Sequence, residues 1–309
     1  MSFYSSNPEH SDPTTDRRVS VVIITRNRGN QIRVALDHLI RLPEKPRIIV
    51  VDNNSSDGTP EIALSMGAPV EVISLRENLA GAGRNIGVQN AETPYVAFSD
   101  DDSWWAPGSL RHAADLFDAY PSLGLIAARM LIGPDARLDP LCAVLAIGLR
   151  DFRSESTVGV PVVGFAACGS IVRRAAFLEA GGFERRLGVG GEEHILALDL
   201  LRNGWKLAYV EGIVARHYPS PVRDISRRKR IEARNALWSA WLRRPVTSAF
   251  SETWRVVRLS FKDNAYRAGL AEAIAGLPWV ISARDPVSTV IDDQVRIAER
   301  VFHNSLGSQ

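Results

Sequence analysis

Three aspartates in a row, Asp100, Asp101 and Asp102, repel one another unless a cation neutralises them. A hard divalent ion takes oxygen ligands and fills the rest of its shell with waters or phosphates. An acidic run just after the apolar segment YVAF at 95–98 is therefore a candidate metal seat. A solvated acidic turn or a helix N-cap is the plain alternative. Two other polar loops also follow apolar runs: Thr25, Arg26, Asn27 and Arg28 after VSVVIIT, and DNNSSDGT at 52–59 after RIIVV. Turn chemistry explains any one of them; three on one edge of a sheet point to a ligand site. Trp104 and Trp105 follow the aspartates and are either a wall for a ligand or packing residues. Further along, Glu192 and Glu193 open a helical pattern. Such a pair can supply a general base, or it can simply stabilise a helix N-terminus. Asp199 is the next carboxylate to consider as a base.

The apolar runs predict the elements that hold these residues. VSVVIIT at 19–25 and RIIVV at 47–51 read as strands buried on both faces. Strands are also predicted at 70–75 and 95–98. Ile32, Ala35, Leu36, Leu39 and Ile40 recur at helical spacing, and further helices are predicted at 60–66 and 80–90. Strand alternating with helix implies an open, doubly wound sheet with ligands beyond the strands' carboxyl ends. The second part is less regular, with strands expected at 123–129, 168–173 and 205–210. A helix ending at Gly181 and Gly182 precedes one at 192–202, which stops at Asn203 and Gly204. Gly81, Gly83 and Gly87 have the spacing GxGxxxG after the third strand, not the dinucleotide GxGxxG after the first. They serve either close backbone approach to a phosphate or tight helix packing.

The 309 residues are 45% hydrophobic and 23% charged, with a formal net charge of +2, an ordinary globular balance with no overall electrostatic case for nucleic acid. The two cysteines, Cys142 and Cys168, lack metal-site spacing and read as buried thiols of a cytoplasmic protein. Residues 1–18 read as a disordered arm without a signal peptide's apolar run. No stretch reaches the roughly 18 apolar residues of a membrane span. Composition shifts near Pro221: Arg223, Arg227, Arg228, Lys229 and Arg230 precede Leu237, Trp238, Trp241 and Leu242. Trp238 and Trp241 share a helix face. That face either docks on an anionic membrane surface or packs on the rest of the chain. Expected units are 1–18, 19–221 (halves 19–108 and 109–221) and a helical appendage at 222–309.

In order, VSVVIITRNRGNQI, IIVVDNNSSDGT, NLAGAGRNIG and FSDDDSWWAPGSL resemble the nucleotide-binding half of glycosyltransferase family 2. GGFERRLGVGGEEHILALDLLRNGW is similar to that family's acceptor half, with Glu in place of the usual Asp in its Gly-Glu-Asp pattern. The resemblance implies a GT-A fold: a Rossmann-like, mostly parallel central sheet flanked by helices, here with the C-terminal helical appendage. It implies an inverting, metal-dependent transfer of sugar from a UDP-, dTDP- or GDP-linked donor to an acceptor glycan or glycolipid; retention is the open alternative. Asp52 would contact the nucleobase, with Thr25 and Arg28 nearby. Asp100 would contact the ribose or a metal-bound water, with Asp101 and Arg84 also on the donor. Asp102, and in some relatives a residue placed like His217, would hold Mg²⁺ or Mn²⁺. Glu193, or its neighbour Glu192, would be the base, and Trp104 and Trp105 would wall the acceptor sugar. The implied setting is the cytoplasm, with peripheral attachment to the inner face of the plasma membrane. The alternatives are an NAD(P)-dependent oxidoreductase, which TRNRGN does not favour because it lacks the glycine fingerprint, and a catalytically inactive membrane scaffold.

Overall fold

The structure, a computed structural model, describes residues 15–152, 158–219 and 225–306. Most of the expected N-terminal arm, the boundary at Pro221 and Arg223 lie outside the described residues. The first half begins as expected. Strands β1 (Val19–Thr25), β2 (Arg47–Asp52), β3 (Val70–Ser74) and β4 (Tyr95–Asp100) alternate with helices α1 (Gly29–Ile40), α2 (Thr59–Ser65) and α3 (Gly83–Asn90). They pair in parallel in the order β3-β2-β1-β4. The registers align Thr25 with Asp52, and Ile24 with Asp100. In-register parallel strands end together, so the polar loops after β1, β2 and β4 emerge at one edge.

The rest comprises β5 (Ser103–Trp105), α4 (Ser109–Ala119), β6 (Leu123–Ile132), β7 (Arg137–Leu138), α5 (Pro140–Ile147), β8 (Val160–Pro161), β9 (Ser170–Arg173), α6 (Arg174–Glu179), α7 (Glu192–Arg202) and β10 (Lys206–His217). They extend the sheet to β3-β2-β1-β4-β9-β6-β10-β5, with β7 beside β6 and β8 beside β10. β9 runs antiparallel to both β4 and β6, while β6 and β10 are parallel. The sheet is thus parallel through its first four strands and mixed beyond. β10 runs past the expected end at residue 210, through a shift of register between Val210 and Val214, to His217. There it meets β5 antiparallel, with His217 opposite Ser103.

The 80–90 helix begins as a 3-10 turn, Ala80–Ala82, before α3. Two of the glycines of this segment serve helix packing. A Cβ at Gly87 would lie 2.3 Å from Val22 Cγ1, and one at Gly83 would lie 3.1 Å from both amide atoms of Asn53. Both positions are tight packing of α3 on the sheet. Cys142 and Cys168 are free and buried.

Among the described residues, five helices follow β10: α8 (Ile225–Arg243), α9 (Val246–Ser260), α10 (Asn264–Ala275), α11 (Leu277–Ser282) and α12 (Thr289–Leu306). Leu237, Trp238 and Leu242 of α8 bury themselves with Leu187, Ile195, Val256, Ala273 and Val280. The Trp238 indole donates to Ala273 O at 3.1 Å, and Trp241 donates to Thr253 Oγ1 at 3.0 Å. The basic run is paired as well: Arg228 with Glu232, Lys229 with Asp263 and Arg230 with Glu272. The face containing Trp238 and Trp241 is therefore a packing face, not a membrane face. Helical periodicity marks which residues share a side, but it cannot say what covers them. Among the described residues, no helix is long and apolar enough to cross a membrane.

Gly87→Ala should destabilise the chain by about 1–3 kcal/mol, because a methyl group placed against Val22 forces α3 off β1. Urea denaturation checks it. An unchanged midpoint would show that the α3–β1 contact is looser than described.

Candidate active site

The loops after β1 and β2 are laced together. Asn53 N–H donates to Thr25 O at 2.9 Å. Asn27 Oδ1 accepts from Ser56 N, and Asn27 N–H donates to Ser55 Oγ, both at 2.8 Å. Asp52, almost wholly buried, accepts the Ser55 N–H at 3.0 Å and also its hydroxyl. Asn53 reaches the 3-10 turn, accepting from Leu79 N at 3.0 Å and donating to Ala80 O at 3.3 Å. Neither Asn27 nor Asn53 stood out in the sequence beyond ordinary turn chemistry.

The three aspartates have three different fates. Asp100 pairs with Arg84. Asp101 accepts from Thr25 Oγ1 at 3.1 Å; burial, aided by Asp102 and Asp100 and opposed by Arg28, pushes its carboxyl up to about 7. Asp102 Oδ1 lies 3.5 Å from His217 Nε2, a meeting made by the β5–β10 register. Burial opposes the charged imidazolium of His217, yet the hydrogen bond and charge of Asp102 carry its pKa above the ordinary value. His217 Nδ1 is buried without a hydrogen-bond partner. Asp102 and His217 could serve a hard cation only as part of its shell, since Mg²⁺ and Mn²⁺ sites usually complete theirs with waters and phosphates. Among the described residues, no three His, Cys, Asp or Glu side chains form a metal cage on their own.

Arg84 is 4% exposed. Burial works against its charge, but Asp100, Glu192 and Glu193 outweigh that and raise its pKa. The cation that holds Asp100 is thus also within electrostatic reach of the acidic pair on α7. That pair begins α7 after Gly188, Gly190 and Gly191, all in the left-handed region, where side chains are strained. Gly81 N–H donates to Gly188 O at 3.1 Å. A Cβ on Gly81 would lie 2.7 Å from Glu192 Oε1, so this glycine serves close approach to the acidic pair. From the other side, Asn235 of α8 donates to Leu187 O at 2.9 Å and to Gly190 O, and Arg234 donates to Leu187 O at 2.9 Å. The sequence reading missed this clamp because its residues come from the appendage.

Glu192 is 2% exposed, with Oε2 lacking a partner. Burial, reinforced by Glu193 and opposed by Arg84, raises its carboxyl to about 8. Glu193 is half-buried, the more accessible of the two. Asp199 lies further along α7, paired with Arg243 and Arg202, and is a structural ion-pair residue rather than a spare base. The aromatic wall also needs correction. Trp105 is 1% exposed. Trp104 is sandwiched between His38, with centroids 4.0 Å apart, and Tyr218, at 4.8 Å. Trp104 is thus engaged in ring stacking within the chain, and the buried Trp105 is a packing residue. The half-exposed Tyr218 beside it, whose N–H donates to Asp102 O at 2.8 Å, was not singled out in the sequence.

Residues 20–180 match the model of the family described as glycosyl transferase family 2. The chain is 30% identical over 237 residues to the pre-mycofactocin glycosyltransferase of Mycobacterium tuberculosis, an alignment covering 72% of this chain and 46% of that one. It thus spans about half the length of that relative. It is 26% identical over 232 residues to the N-acetylglucosaminyl-diphospho-decaprenol L-rhamnosyltransferase of the same organism, covering 64% of this chain and 75% of the other. In fold it is similar to the mannosyltransferase PcManGT from Pyrobaculum calidifontis, solved with GDP-Man and Mn²⁺. That TM-score is 0.59 at 17% identity, over 98% of this chain and 91% of the other.

Burial of Glu192 predicts a pH signature. The unfolded chain releases this proton near the ordinary value of 4.5, whereas the folded chain keeps it up to about 8. The unfolded state therefore binds fewer protons between those values, and the contribution of Glu192 to stability falls as pH rises through them. Glu192→Gln should remove this loss, making the variant more stable than wild type at the alkaline end by on the order of 1–3 kcal/mol and converging with it at the acid end. Urea melts of both proteins across that range measure it; parallel pH profiles would count against a protonated, buried Glu192.

Proposed function

The chain belongs to glycosyltransferase family 2, and from that premise we propose that it moves a sugar from a nucleoside diphosphate to an acceptor hydroxyl in one displacement with inversion. That it is a glycosyltransferase using nucleotide-sugar donors follows from the family and the named relatives; the nicotinamide alternative falls with it. The finer reading rests on one observation above the others. One buried guanidinium, Arg84, pairs with Asp100 and lies within electrostatic reach of Glu192 and Glu193, which supports reading the donor end and the acidic pair as one site.

In this reading, Asp52 takes the nucleobase, with Thr25 and Arg28 beside it. Asp100 takes the ribose, held in place by Arg84. Asp101, its carboxyl pushed up to about 7 by burial, offers the donor a hydrogen bond when protonated. Asp102 and His217 would hold Mg²⁺ or Mn²⁺. The bound ion would neutralise charge on the departing diphosphate, so no separate protein acid is needed. Glu193 takes the proton of the acceptor hydroxyl as the new bond forms. Glu192, buried beside it, has its carboxyl pushed upward by burial and by the neighbouring Glu193, which leaves the more accessible Glu193 as the carboxylate proposed to act. The intact acidic set argues against an inactive scaffold.

The donor nucleotide is UDP, dTDP or GDP. The relatives are named for unlike acceptors, one of them a diphospho-decaprenol lipid. We take a lipid-linked glycan or glycolipid as the acceptor class, worked on from the cytoplasmic side. A screen for release of each diphosphate from its sugar-linked form tests the donor class, with and without a decaprenyl-type acceptor.

Asp102→Ala should lower transfer on the order of a hundredfold or more while leaving the thermal melt unchanged. Wild-type turnover in excess EDTA would remove the metal from this scheme.

Glu193→Gln should cut turnover by roughly 10²–10⁴ with donor affinity nearly unchanged. Turnover crippled by Glu192→Gln, but not by Glu193→Gln, would reverse the assignment within the pair.

A further inference from the structure

Helix α9 has an outer face that the rest of the fold leaves largely exposed, although the Phe250 ring meets that of Trp241 edge-on with centroids 5.2 Å apart. Its inner face, with Ser248, Ala249, Val256 and Ser260, is buried. At 100° per residue, Val246, Phe250, Trp254, Val257 and Phe261 fall within one narrow stripe on the outside, and Phe261 keeps helical backbone angles. Phe250 is 60% exposed, Trp254 65% and Phe261 78%. Three large aromatic side chains in one exposed row are uncommon on a soluble surface and mark an interaction site. The aromatics on α8, by contrast, are covered.

The flank of the stripe indicates what covers it. Arg255, Arg258 and Lys262 follow one another along one side, all exposed. Among the described residues, Arg258 and Lys262 form no ion pair, and Glu252, the lone carboxylate of α9, is bound to Arg255. An apolar row rich in Trp and Phe, bordered by unneutralised cations, has the composition of a helix lying in the plane of a lipid interface. Cations there are drawn to anionic headgroups. A second copy of the chain would bring the same cations against one another, which weighs against self-association.

We propose that α9 docks the enzyme on an anionic lipid surface, with Phe250, Trp254 and Phe261 inserted among the acyl chains and Arg258 and Lys262 at the headgroups. This rests on α9 alone and stands whether or not the donor chemistry above is right. The test is co-sedimentation of the full chain with vesicles of phosphatidylcholine carrying increasing phosphatidylglycerol, at low and high salt. Binding should rise with phosphatidylglycerol and fall with salt. The double variant Phe250→Ser, Trp254→Ser should lose about tenfold or more in partitioning. Arg258→Gln with Lys262→Gln should weaken binding and flatten its salt dependence. Both variants should keep the wild-type circular dichroism and the wild-type rate of donor turnover in solution, which separates this result from the fate of the catalytic reading. No binding to anionic vesicles at low salt, or full binding by the aromatic double variant, would overturn the proposal. So would a wild-type dimer in sedimentation velocity that the aromatic variant abolishes.

Discussion

A buried guanidinium cannot be left without counter-charge; taken from water unpaired, it would cost several kcal/mol. Arg84 meets this constraint by drawing carboxylates from two distant parts of the chain. Asp100 comes from the end of β4. Glu192 and Glu193 come from the start of α7, about a hundred residues later. The carboxylates have the reciprocal need, since packed together they would repel without a cation among them. The site is thus arranged around a charge balance. The glycines around it let backbones approach where a side chain would block that balance, as Gly81 does against Glu192.

The first half of the fold was legible because its signals are local. β-branched runs buried on both faces can hardly be anything but central strands, and β1, β2 and β3 fall within a residue of expectation. The strand-end aspartates were legible for the same reason. Residues placed by pairing were not. No strand is expected at Ser103–Trp105 from the sequence, yet one forms because β10 continues beyond its register shift to meet it. That pairing sets His217 beside Asp102 and brings Tyr218 onto the Trp104 ring. An aromatic pair next to an acidic run suggests a ligand wall only until its neighbours are known.

The appendage illustrates the same limit. Amphipathic spacing on α8 marked Trp238 and Trp241 as companions, which they are, but on an inner face. The exposed row lies one helix later, where VTSAFSETWRVVRLS is less conspicuous because its basic residues are fewer and more widely spaced. The basic run that drew attention is mostly spent on ion pairs within the helices. Charge density in a sequence says nothing of which charges are already satisfied.

The loop ahead of α7 has no structure of its own to rely on: three glycines in left-handed geometry give it shape but no side-chain packing. It is held by Asn235 and Arg234 of α8, and Leu187 and Ile195 on either side of it share a core with α8, α9 and α10. The helical segment is therefore a splint for the acidic pair rather than an attachment beside it. Cutting the gene near residue 221 to obtain a minimal catalytic fragment would strip that splint, expose Leu187 and Ile195 to water, and unmoor Glu192 and Glu193, although no residue of the loops after β1, β2 and β4 had been touched.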